Sequence, residues 1–136
     1  MSLDRIVEIA DFQAALRRFV RHSDRIANQH GLTPQRYLLL LMIKGAADRS
    51  QSLTVGAAAE RLQLGDNSAT ELINRAEANG LVRRERSPTD GRVVHLRLTA
   101  DGDRRLEAVL RDLDADRHGL EDALRHLTRS FRRTSP

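Results

Sequence analysis

Between positions 83 and 97 the chain sets five arginines, Arg83, Arg84, Arg86, Arg92 and Arg97, against two acids, Glu85 and Asp90. Arginine carries a planar, permanently charged fork that matches phosphate oxygens and enters narrow polyanion grooves. Upstream, Asn67, Ser68, Thr70, Glu71, Asn74 and Arg75 would share the outer side of a helix whose inner side is Ala69, Leu72, Ile73 and Ala76. Short polar groups beside one arginine suit the reading of base edges, and the amino end of such a helix offers N–H groups to a phosphate. Other chemistries lack their residues. With no cysteine, the chain has no disulfide, thiolate metal site, cysteine nucleophile or thiol redox switch of its own. His22, His30, His95, His118 and His126 are never three to five residues apart, so no metal is expected. Asp112, Asp114 and Asp116 stand without a nucleophile motif or glycine-rich phosphate loop and read as a solvated helix surface. No catalytic residue and no cofactor is therefore expected, and the chain is not read as an enzyme.

The distribution of charge says more than its sum. Lys+Arg total 23 and Asp+Glu 19, a net of +4, and all the bases but Lys44 are arginine. The basic stretch 81–99 is followed by an acidic stretch, 100–124, and then by Arg125, Arg129, Arg132 and Arg133 with no acid among them. Such segregation implies a directed basic surface for a polyanion. The 136 residues fit one domain, 40% hydrophobic but only 3% aromatic, whose core must come from 20 Leu and 16 Ala with some Val and Ile. That composition favours helices. The longest apolar run, Leu38 to Ile43, is too short to span a bilayer or to serve a signal peptide, so a cytoplasmic protein is expected.

The elements that must position these residues follow from periodicity and punctuation. Apolar residues from Ile9 to Ala27 recur at three- and four-residue steps, giving a long amphipathic helix from Leu3 to about Asn28 that His30-Gly31 ends. Thr33 as N-cap and Pro34 at the first helical position open a second helix to about Ala47, apolar nearly all round and therefore central. After a polar loop at 48–52, Val55 to Leu62 forms a short Ala-rich helix, and Gln63-Leu64-Gly65 turns into the helix 66–79. There Ser68 and Glu71 fit a capping box, and Gly80 ends the helix. Leu81 to Ser87 and Val93 to Leu98 read as two strands around the turn Pro88-Thr89-Asp90-Gly91. Thr99 then caps a helical region whose positions 106, 110, 113, 117, 120, 124, 127 and 131 are all Leu except Arg117 and Phe131. The unbroken register favours one long helix that packs on another.

Helix, short turn, helix and basic hairpin make the winged helix-turn-helix plan, in which the second helix enters the major groove and the hairpin lies along the backbone or in the minor groove. The expected fold is mostly α (α+β), a single domain over 1–136. Residues 32–99 form a winged DNA-binding lobe with a two-stranded wing, and 1–31 and 100–136 form a helical dimerisation lobe. The helical stripes leave more apolar surface than one small winged core can cover, which predicts a homodimer.

Residues 53 to 102 resemble the MarR (multiple antibiotic resistance regulator) family. The resemblance lies in Ala58-Ala59-Glu60-Arg61-Leu62, in Leu72-Ile73-Asn74-Arg75-Ala76 running on through Asn79-Gly80-Leu81-Val82-Arg83-Arg84, and in Asp90-Gly91-Arg92 followed by Val94, Leu98-Thr99 and Gly102. Gly31-Leu32-Thr33 leading to Tyr37 is similar to the family's entry to its second helix. The resemblance implies a homodimeric transcriptional regulator, usually a repressor, that binds a palindromic double-stranded DNA operator and is released by a small aromatic or anionic ligand between its lobes. Asn67, Ser68, Thr70, Glu71, Asn74, Arg75, Arg84, Arg86, Asp90 and Arg92 are then the DNA-binding candidates, with Asp90 also orienting Arg92. Phe12, Phe19, His22, Arg36, Tyr37 and Met42 are the ligand candidates, and packing of the core is their other reading. Three positions depart from the family pattern. Glu71 places an acid on the groove face, where it either accepts from a cytosine amino group or points away from phosphates. Asn74 stands where an Asp often pairs from helix to wing. The C-terminal region lacks a second turn signal. A winged-helix module that binds protein instead of DNA is the alternative, with Glu71 in its favour.

Overall fold

The computed structural model describes residues 1–48, 52–114 and 117–134; Asp116 and most of the polar loop 48–52 lie outside the described residues. Its elements are α1 (Leu3–Gln29), α2 (Pro34–Asp48), β1 (Leu53–Thr54), α3 (Val55–Leu62), α4 (Asp66–Ala78), β2 (Val82–Arg86), β3 (Val94–Leu98), α5 (Ala100–Leu113) and α6 (His118–Thr134). The chain divides into two compact units, 1–26 with 110–136, and 27–109.

In the unit 27–109, the local chemistry of the sequence sets the joints. Gly31 takes φ +76°, a left-handed conformation that glycine adopts without a Cβ penalty, and Leu32 N donates to Ala27 O at 2.9 Å to finish α1. Thr33 Oγ1 accepts from Arg36 N at 3.2 Å and starts α2. Leu39, Leu40 and Ile43 of α2 are buried, as are Ala58 and Ala59 of α3 and Ala69, Leu72, Ile73 and Ala76 of α4. The alanines let these helices approach closely, and Leu32, Leu96, Leu106 and Val109 complete the core. Lys44 Nζ donates to Asp103 Oδ1 at 2.6 Å and ties α2 to α5.

Tyr37 belongs to this core, with 5% of its surface exposed. Burial disfavours the phenolate and raises its pKa above the ordinary 10.0. Because Tyr37 is the only tyrosine and there is no tryptophan, alkaline absorbance near the phenolate band reports this group alone. The folded protein is expected to titrate later than the same chain in denaturant. The sign follows: the raised pKa stabilises the fold below the ordinary phenol value, and that stability is lost as pH rises through the raised one. Coincident curves, folded and denatured, would place the ring in water.

Three features differ from the sequence reading. The hairpin is part of a three-stranded antiparallel sheet in the order β1-β3-β2, with Leu53 opposite Leu96 and Thr54 opposite His95. A two-residue strand has no periodicity to reveal it. The capping box at α4 is not formed: Gly65 is the N-cap without a side-chain bond, and Ser68 lies inside the first turn. The C-terminal region is two helices instead of one. Arg117 interrupts the apolar stripe, pairs with Asp114 at 2.5 Å, and through its carbonyl accepts from Glu121 N at 3.0 Å as α6 begins. Aspartate is a poor helix former and unfavourable at a helix's negative end, but well placed before the positive end of the next.

In the unit formed by 1–26 and 110–136, Ala15, Ser23, Ile26, Leu113 and Ser130 are buried. Arg5 lies over the Phe131 ring at 4.0 Å, joining the start of α1 to α6. Met1, Leu3, Ile6, Val7, Val20, Leu124 and Phe131 are exposed, and among the described residues the one large exposed hydrophobic outside this unit is Leu38. No helix among the described residues is long and apolar enough to cross a membrane.

Candidate nucleic-acid interface

The reading helix is held by what precedes and follows it. Thr54 Oγ1 accepts from Ala57 N at 3.1 Å to cap α3, Gln63 turns the chain at φ 54°, and α4 starts one residue after Gly65. Its buried side, Ala69, Leu72, Ile73 and Ala76, leaves Asn67, Ser68, Thr70, Glu71, Asn74 and Arg75 all exposed. At 3.6 residues per turn, Asn67, Glu71 and Asn74 are opposite the buried side, Ser68 and Arg75 occupy one flank, and Thr70 and Glu77 occupy the other. Ser68 and Arg75 share a groove of about 440 Å³ with Thr33 and Arg36 at the start of α2.

The wing is fastened to this helix by Arg84. Its Nη1 donates to Glu77 Oε1 and its Nη2 to Asn74 Oδ1, each at 2.7 Å, while its backbone N donates to Glu77 Oε2 at 3.3 Å. The departure at Asn74 is thus accommodated: the helix-to-wing ion pair exists, with Glu77 as its acid. Sequence reading missed Glu77, whose role depends on the strand folding back within reach of a residue seven positions earlier. With both ends of its fork held, Arg84 acts on the position of the wing. Arg86 and Arg92 are exposed, and so is Arg83, which belongs to the same arginine cluster. Arg84 faces Leu96 across the sheet and Arg83 faces Arg97, so alternate arginines project to opposite faces. Like charges opposite each other repel, and Arg97 is steadied by Ser52 Oγ at 2.7 Å and Glu85 at 3.5 Å.

At the wing tip, Asp90 Oδ1 accepts from the backbone N of Arg92 at 3.0 Å, and Ser87 Oγ accepts from Asp90 N at 3.3 Å. Asp90 therefore builds the turn that presents Arg92, acting on its backbone.

The ligand candidates lie at separate places. Phe19 and His22 line a concavity of about 360 Å³ with Arg18, Arg25 and Leu120 in the unit 1–26 with 110–136. In the unit 27–109, Arg36 lines the groove beside α4, Tyr37 is in the core, and Met42 Sδ accepts from Arg61 Nε at 3.4 Å. Phe12 is half-buried in the first unit. Among the described residues no group of three or more His, Asp or Glu could hold a metal ion.

A short helix, a tight turn, an exposed polar helix and an arginine wing pinned to it form the winged helix-turn-helix arrangement. The MarR family profile matches residues 30–93, from the end of α1 to the wing tip. The uncharacterized HTH-type transcriptional regulator YsmB of Bacillus subtilis is 30% identical over 106 residues, covering 75% of this chain and 70% of that one. The chain belongs to the MarR family. The HTH-type transcriptional repressor MdtR of Bacillus subtilis is 33% identical over 82 residues, which are 60% of this chain and half of the repressor. Among solved structures, a mutant of S. aureus MepR bound to an oligodeoxyribonucleotide superposes with a TM-score of 0.68 at 20% identity, over 91% of this chain and 95% of that one. The mostly helical fold with its small antiparallel sheet is thus that of MarR-family proteins, and this chain is a MarR-family transcriptional regulator.

Proposed function

We propose that this MarR-family protein is a cytoplasmic homodimeric repressor that binds palindromic double-stranded DNA and acts by binding, without catalysis. The observation that carries the proposal is the exposed polar face of α4 beside a wing pinned to it by Arg84, with Arg83, Arg86 and Arg92 exposed. In this reading Asn67, Ser68, Thr70, Glu71, Asn74 and Arg75 meet base edges or the phosphates beside them. Arg86 and Arg92 meet the backbone or minor groove, and Arg84 and Asp90 hold the wing. The unit 1–26 with 110–136 supplies the dimer contact, supported by its exposed Leu3, Ile6, Val7, Leu124 and Phe131. A small aromatic or anionic effector releases the DNA, and the concavity lined by Phe19, His22, Arg18 and Arg25 is its best-supported site.

Two measurements test this. Sedimentation at micromolar concentration is expected to give twice the chain mass of 15.3 kDa. Fluorescence anisotropy with duplex DNA from the protein's own upstream region is expected to show affinity falling steeply with salt, the log–log slope being about 0.9 per phosphate neutralised. A clean monomer, or no duplex bound at about 50 mM salt where phosphate contacts are strongest, would leave the protein-binding module as the better reading.

A further inference from the structure

Glu71 is the one acid opposite the buried side of α4, where a carboxylate approaching phosphates is a cost unless it has a use. It is not turned aside. Its Oε1 accepts from Arg75 Nη2 at 2.6 Å, and the two side chains remain 62% and 66% exposed. A pair this exposed contributes little to folding. Toward the wing, Glu77 and the Oδ1 of Asn74 are already engaged by Arg84. Arg75, on the other flank, is drawn by Glu71 toward the centre of the exposed face, with one nitrogen committed and the other N–H groups of its fork left to donate.

We infer that Glu71 and Arg75 act as one reading element for a single C·G base pair in each half-site, Arg75 donating to guanine and Glu71 accepting from cytosine. The inference rests on the DNA-binding reading above. In the major groove, guanine presents O6 and N7, two acceptors that fit the guanidinium fork, whereas cytosine presents only its N4 amino donor. Thymine O4 repels a carboxylate, and adenine sets its N7 acceptor beside its donor. Within one C·G pair the guanine O6 and cytosine N4 lie side by side, as the guanidinium and carboxylate do on the helix. The acid therefore fixes the arginine and adds its own discrimination.

The test is selection of bound duplexes from a pool randomised across both half-sites, at one salt concentration, with the wild type and Glu71→Gln. The wild type is expected to keep one C·G position per half-site with a preference of roughly tenfold or more over the other pairs. Glu71→Gln is expected to reduce that preference to about threefold at that position alone, admitting adenine, whose edge an amide reads. Its affinity for unselected duplex should rise, since a negative charge is gone. Arg75→Ala, which removes the donor to guanine, should lose the same position. Unchanged melting of both variants excludes a folding defect as the cause. A Glu71→Gln variant with the wild-type preference at every position, or a wild type with no C·G position, overturns the inference. A wild type that retains no duplex sinks the DNA-binding reading itself.

Discussion

Gly102→Ala is expected to destabilise the protein by about 2–3 kcal/mol, although alanine is the better helix former. Gly102 is buried in the first turn of α5, where a Cβ would run into the carbonyl oxygen of Leu81, with the carbonyl carbon 3.0 Å away. That obstacle is backbone and cannot rotate aside. It is also fixed from several sides: Thr99 N donates to Leu81 O at 3.1 Å, Thr99 Oγ1 donates to Gly80 O at 2.6 Å, and Gly102 N donates to Thr99 Oγ1 at 3.0 Å. Adding a methyl group must push α5 off the turn between α4 and β2, and overpacking of this kind outweighs the ~1 kcal/mol gained in propensity. For a chain of this size the melting temperature should fall by roughly 10 °C. Gly45→Ala is the control, because Gly45 lies within α2 with nothing beyond its own stretch of helix backbone within 4 Å of its would-be Cβ. That variant should gain about 0.5–1 kcal/mol. Equal melting temperatures for the two variants would mean that α5 does not rest on Leu81.

Arg92→Ala is expected to weaken binding to every duplex by about 1–3 kcal/mol and to reduce the salt slope by about one unit. The side chain is exposed at the end of a turn whose shape depends on Asp90 Oδ1 and Ser87 Oγ, so its removal leaves the wing backbone intact. Asn67→Ala and Thr70→Ala should instead relax discrimination between operators with little change in salt slope, because these residues are on the exposed face of α4 and carry no charge. Wild-type affinity and slope in Arg92→Ala would remove the wing from the DNA-binding surface.

The elements that advertise themselves in sequence are those whose chemistry is local. Thr33-Pro34, Gly80 and Thr99 each satisfy backbone groups within a few residues, and the joints they predict are present. Gly31 and Gly80 adopt positive φ where a helix stops. Two features that were not legible depend on partners brought in by folding. Leu53 becomes a strand residue because Leu96, far along the chain, lies beside it. Glu77 becomes a clamp because β2 folds back toward α4. Ser68 and Glu71 satisfy the local pattern of a capping box, yet Gly65 starts the helix and Glu71 turns to Arg75. At the C-terminal stripe, leucine spacing carries the register through Arg117, yet α5 ends at Leu113 and α6 begins at His118.

The pairing of Leu53 with Leu96 ties the two ends of the reading machinery together. Thr54 is both the last residue of β1 and the cap of α3, so the first helix of the helix-turn-helix is tethered to the central strand of the wing. Everything from α3 to β3 is one loop closed by that contact, and closing it costs chain entropy. A fragment ending at Gly80 would lack the strand that secures its own beginning. Reader and wing are therefore coupled through Thr54, and a break in the hairpin is expected to loosen the start of α3.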